Sequence, residues 1–123
     1  MGLRLGLFLG ATLLWVPVSW AQVRYPSLED ARRAIRCSLI YAIAAREAPD
    51  IRIRDANLLV RKLVLELGSM SAGTQLTLSW VDELQKEIPT LQGESLLELN
   101  DDCKRLIQEY RETLGYLREK QSK

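Results

Sequence analysis

The groups best able to move a proton are concentrated in ESLLELNDDCKRLIQE, residues 94–109. Glu98 and Asp102 stand one helical turn apart, and Asp102 and Glu109 two turns, so all three fall on one face if the segment is helical. A pair of carboxylates, one protonated and one ionised, is enough to cleave a glycosidic bond without histidine. Glu98, Asp101, Asp102 and Glu109 are therefore the candidates for carboxylate-only chemistry. The opposite charge is concentrated in Arg32, Arg33 and Arg36, with Arg61-Lys62 further along. Guanidinium groups clustered in this way form a candidate patch for an anion or a charged protein partner. A solvated polar face accounts for both clusters, and is the simpler reading of each.

Other chemistries have no residues to carry them. The chain has no histidine, which removes the common zinc sites and the usual base of serine and cysteine hydrolases. It has no glycine-rich phosphate loop, and a calcium loop would need a longer alternation of oxygen ligands around a central glycine. Trp80, Tyr25, Tyr41, Tyr110 and Tyr116 are too scattered to suggest an aromatic cage. No catalytic residue, metal ligand or cofactor is expected.

The two cysteines, Cys37 and Cys103, raise the question of compartment. The chain opens MGLRLGLFLGATLLWVPVSWAQ, with Arg4 ahead of an apolar run from Leu5 to Val18 and small residues at Ser19 and Ala21. That layout predicts a secretory signal peptide, residues 1–21, cleaved before Gln22. The run is short for a bilayer span, which needs roughly 20 apolar residues, and an uncleaved N-terminal anchor is the alternative reading. Export to an oxidising compartment, with a bacterial periplasm favoured over eukaryotic secretion, predicts that Cys37 and Cys103 form a disulfide. Cys37 falls on the apolar side of the first predicted helix and Cys103 on the apolar stripe of the last, so a bridge would pin the two together. A redox-active pair is disfavoured, because Asp101 and Asp102 oppose a thiolate at Cys103.

The elements that must position these residues follow from periodicity. Residues 22–123 read as one all-helical domain. Ser27 caps a first helix over about 27–47, with Glu29 and Asp30 at its positive end and Ala48-Pro49 as its stop. Leu28, Ala31, Ile35, Leu39 and Ala42 form its apolar stripe, with Ala34, Cys37, Tyr41 and Ala44 beside it. Asp50 starts a second helix over about 50–67, striped by Ala56, Leu59, Val60, Leu63, Val64 and Leu67, and Gly68 is expected to end it. SMSAG, residues 69–73, reads as a loop. A third helix is expected over about 77–88, with a short strand at 75–79 as the alternative. The fourth, about 94–119, carries Leu96, Leu99, Cys103, Leu106, Tyr110, Thr113 and Leu117 at alternating three- and four-residue steps. Asn100-Asp101-Asp102 offers a restart point within it, and Gly115 a weak spot. The expected fold is a small four-helix bundle with antiparallel neighbours and one disulfide joining its first and last helices.

After signal cleavage, sixteen Lys/Arg balance sixteen Asp/Glu, which argues against nucleic acid as a partner. The balance is uneven along the chain. Residues 22–62 hold nine cations against five anions, and residues 63–123 hold seven against eleven. Such polarity suits packing of the two halves on each other, head-to-tail association or a charged partner. Leu58, Leu65, Leu97 and Leu114 lie off the main stripes, and surplus apolar surface of this kind suggests a homodimer or a protein partner. No transmembrane segment is expected after residue 21. The function expected is that of an exported, non-catalytic binding or accessory module. In layout the chain is similar to small periplasmic helical proteins with one disulfide, acid-stress chaperones among them. The similarity rests on size, export signal, helix content and the Cys37–Cys103 pairing, and it implies a chaperone role as an alternative. A carboxylate-dependent envelope enzyme is the remaining one.

Overall fold

The computed structural model describes residues 23–90 and 93–121. The predicted signal peptide, residues 1–21, lies outside them. Among the described residues four helices follow in order: α1 (Leu28–Arg46), α2 (Ile51–Glu87), α3 (Glu94–Glu109) and α4 (Arg111–Gln121), with a 3-10 turn at Ile88–Thr90 after α2. No strand occurs among the described residues, and 75–79 is helical.

The Oγ of Ser27 accepts a hydrogen bond from the Asp30 N–H at 3.1 Å, which satisfies one orphan donor at the start of α1. Asp50 does the same for α2, accepting from the Ile53 N–H at 3.0 Å. Along α1, Ala31, Ala34, Ile35, Cys37, Ser38, Ile40 and Ala45 are buried. Three alanines in this face allow a neighbouring helix to approach closely.

Gly68 meets that face, and here the expectation from sequence needs correction. It does not end a helix, and residues 69–72 are not a loop. The helix runs through all of them, with Gly68 buried in its interior. A Cβ built on Gly68 would lie 2.6 Å from Cγ1 of Ile35 and 2.8 Å from the carbonyl oxygen of Ala31. The glycine is there for close approach between helices. The break falls five residues later, at Gly73, whose φ of 80° and ψ of 172° are non-helical and open only to glycine.

That one residue folds α2 back on itself. Gly68 touches α1 at Ala31 and Ile35, while Glu83 pairs with Arg32 at 2.9 Å. A straight helix would separate positions 68 and 83 by about 22 Å, yet both meet the same turns of α1. The first arm of α2, up to Ala72, thus runs antiparallel to α1 and the second returns alongside it. The two arms with α1 and the α3–α4 pair make up the four-helix bundle.

The last helical segment also differs from the single helix expected. It breaks at Tyr110, with φ −108° and ψ 26°, and restarts as α4. Neither Gly115 nor Asn100 interrupts it: Gly115 lies inside α4 and Asn100–Asp102 inside α3. Tyr110 is held by contacts from other elements, described below, and these override the local preference.

The Cys37–Cys103 disulfide joins α1 to α3, with both residues fully buried. Around it pack Ala34, Ile40, Val64, Leu67, Leu99 and Leu106, and Leu114 and Leu117 of α4 complete the core. Leu114 is therefore core, whereas Leu58 and Leu97 remain exposed. No described helix is long and apolar enough to cross a membrane.

Candidate functional site

The two ends of the bundle differ in chemistry. At the end where α1 begins, Arg33 gathers carboxylates from two helices. Its Nε and Nη2 donate to both oxygens of Asp102 at 3.1 and 2.7 Å, a bidentate pairing. Its Nη1 donates to Asp30 at 2.8 Å, and Glu109 lies 3.7 Å away. The Tyr110 O–H donates to the other oxygen of Asp30. Arg24 stacks over the Tyr110 ring, 4.3 Å from its centroid, and donates to the Glu109 carbonyl at 3.0 Å. The Arg24 N–H donates to Oγ1 of Thr113 at 2.8 Å, and that hydroxyl donates to the Arg24 carbonyl at 3.0 Å. The segment before α1 is thus tied to α4, and α1 to α3.

Charges so placed perturb one another. The Tyr110 and Arg33 hydrogen bonds hold the Asp30 carboxyl below the usual aspartate range against its partial burial. The Arg33 guanidinium does the same for Asp102. Burial pushes the Tyr110 phenol up, and its bond to Asp30 adds to the effect. Arg32 on the neighbouring face pairs with Glu83 and sits 5.7 Å from the Trp80 ring centre. That pairing lowers the Glu83 carboxyl.

These contacts place the residues singled out in the sequence. Arg32 and Arg33 of the basic patch each face carboxylates. Arg36 does not share their pairs, and its Nε is buried without a hydrogen-bond partner. It lines a cleft of about 330 Å³ with Ser95, Glu98, Leu99, Asp102 and Arg105. Of the acidic cluster, Asp102 is turned to Arg33, while Glu98, Asp101 and Glu109 are exposed. A carboxyl held ionised by Arg33 is a poor proton donor near neutral pH. No group of three or more acidic or cysteine side chains suited to a metal occurs among the described residues.

The opposite end is mainly apolar. Ile40, Ile43, Ile88, Pro89, Leu96 and Leu97, with Glu47 and Asn100, line a groove of about 430 Å³ between α1, the 3-10 turn and α3. A second depression of about 230 Å³ continues from it along Leu39, Ala42 and Gln85, sharing Ile43, Ile88 and Pro89. Pro89 stops α2 and leaves the groove open between the end of one helix and the start of the next. Leu97 is 65% exposed and Leu96 41%, although both belong to a helix that leaves Leu99 only 8% exposed. The sequence marks Leu97 as surplus. The groove itself needs Ile40, Ile43 and Ile88 from two distant helices, and no local pattern announces that meeting.

Comparison of the chain with family models, with curated proteins and with solved structures finds no match.

Proposed function

We propose that the chain is an exported, non-catalytic helical module that acts by binding a protein partner at the apolar groove between α1 and α3. The groove carries this reading: Leu96 and Leu97 stand exposed beside a concavity that reaches Ile40 and Ile88 in the core. Contiguous apolar surface with a concave floor is what a partner's apolar side chains require. The buried disulfide supports the export half, since thiols in reducing compartments seldom pair. The apolar N-terminal run and the small residues before Gln22 support it too.

The test uses the exported protein with a photo-crosslinking side chain at position 97 or at 116, both exposed. A partner captured from 97, absent from 116 and lost when Leu96→Asp is added supports the groove. Identical products from both positions would refute it. The mass of the exported chain, alkylated without reduction, checks the rest: it should begin at Gln22 and carry no alkyl group.

One observation favours a second reading, an acid-responsive chaperone. Asp30 and Asp102 tie α1 to α3 and α4 through Arg33 and Tyr110, and their protonation would loosen those ties. Suppression of a client's aggregation at pH 2 but not at pH 7 would support that role, and no suppression at either pH would exclude it.

A further inference from the structure

Two exposed helix faces carry opposite charge around an apolar centre. On α3, Glu94, Leu97, Glu98 and Asp101 fall at i, i+3, i+4 and i+7, a single face, and all four are exposed. None of the three acids has an ion-pair partner among the described residues. On the first arm of α2, Ile51 and Leu58 are exposed at a seven-residue step, and half-buried Leu65 continues the line. Arg54, Arg61 and Lys62 flank that line, all exposed. Arg54 lies 3.7 Å from Asp55, while Arg61 and Lys62 pair with no carboxylate among the described residues. Since both faces are exposed in the same molecule, neither covers the other.

We infer that the acidic face around Leu97 receives the basic Ile51–Leu58–Leu65 face of a second copy, joining molecules head to tail. The inference rests on the binding role of the groove, because Leu97 belongs to both surfaces, and it names the partner that meets Leu97. Charge decides between occupants. Pairing the basic face with another basic face would set Arg54 and Arg61 near their own equivalents, and like charges in contact are disfavoured. An anionic membrane would use the basic face alone and leave Glu94, Leu97, Glu98 and Asp101 without a role. A second copy uses both faces, joining leucine to leucine and carboxylate to guanidinium. The two patches of such a contact differ, so it is heterologous and can extend into a ring or a filament.

The mature protein with its disulfide intact provides the test, by sedimentation equilibrium from roughly 10 μM to 1 mM. Leu97→Asp and Leu58→Asp change exposed side chains, so each variant should fold as the parent does. Each is expected to weaken association at least about tenfold, the effect of losing one central apolar anchor. The decisive sample is an equimolar mixture of the two. One molecule keeps its basic face and the other its acidic face, so the mixture should form dimers and nothing larger. Added salt should weaken parent and mixture alike.

A parent chain that is monomeric at every concentration overturns the inference, as does a mixture no more associated than its components. Leu58-dependent sedimentation with anionic vesicles, with Leu97→Asp without effect on self-association, overturns it in favour of a membrane surface. A monomeric chain that still captures a foreign protein through position 97 would refute the second copy while leaving the groove as a binding site. The two claims therefore fail separately.

Discussion

Replacing Gly68 with alanine sets two physical effects against each other. In an open helix the change stabilises by about 1 kcal/mol, because glycine loses more backbone freedom on folding. At position 68 the new methyl would stand 2.6 Å from Ile35 Cγ1 and 2.8 Å from the Ala31 carbonyl oxygen. Comfortable contact begins near roughly 3.5 Å, so both neighbours must retreat by about 0.7–0.9 Å. Ile35 is fully buried and stiff at its β-branch, and the Ala31 oxygen belongs to helix backbone. The means of relief is to move α1 away from α2, which loosens Val64 and Leu67 as well. Overpacking of this kind costs about 1–3 kcal/mol, and a backbone neighbour places it at the upper end. The net expectation is a loss of about 1–2 kcal/mol, or a fall in Tm of roughly 4–8 °C per kcal/mol. Gly115 is the control. It is exposed in α4, and a methyl added there would meet nothing within 4 Å, so Gly115→Ala should stabilise by about 0.5–1 kcal/mol. Urea unfolding of both variants measures the contrast. A Gly68→Ala midpoint at or above the parent's would refute the close approach of α1 and α2.

Three further outcomes are expected. The double variant Cys37→Ala/Cys103→Ala opens a loop of 66-residue separation and should lose about 4 kcal/mol by the chain-entropy estimate, checked by urea unfolding without reductant. Gly73→Ala meets no neighbouring atom, so its loss of about 1–3 kcal/mol would come from a φ of 80° alone, and thermal unfolding read against Gly115→Ala checks it. Asp30 and Asp102 have folded pKa values below their unfolded ones, so the stability they contribute is complete above about pH 4 and is lost as pH falls through the folded values. Asp102→Asn should therefore destabilise at pH 7 by about 1–2 kcal/mol and narrow its gap to the parent at pH 2, measured as unfolding free energy at the two values.

The bundle and its staple were legible because their signals are local or simply periodic. Ser27 and Asp50 cap by side chains three residues from the N–H they receive, and Cys37 and Cys103 share stripes with residues that must face a core. Gly68 and Gly73 show where such reading ends. Both are glycines at the end of a helical stripe, and the first is the better C-cap by position. Only the arrival of Ile35 from another helix reveals that Gly68 is needed for space, while Gly73 is needed for its backbone angles. Tyr110 is similar. Its place on the α3 stripe reads as core, yet Asp30 and Arg24, which come from some 80 residues earlier, fix its hydroxyl and ring where the helix breaks. The groove was hinted at by Leu97 alone, because its floor is assembled from helices far apart in sequence.

The position of the disulfide bears on the acid-responsive reading. Asp30, Arg33, Glu109, Tyr110 and Thr113 lie on the side of Cys37–Cys103 nearer the start of α1, and Asp102 stands next to the disulfide itself. Ile43, Ile88, Leu96 and Leu97 lie on the other. Protonating the two aspartates frees Arg33 and Tyr110, but α1 and α3 remain joined at Cys37 and Cys103 and by the apolar contacts beyond. Acid thus loosens one end of the bundle and leaves the groove formed. An acid-exposed surface would comprise core residues beside Tyr110, such as Leu106 and Leu114, and would be distinct from the surface presented at neutral pH. A partner held at Leu97 and a client bound only in acid would then occupy opposite ends of the molecule, separated by the staple.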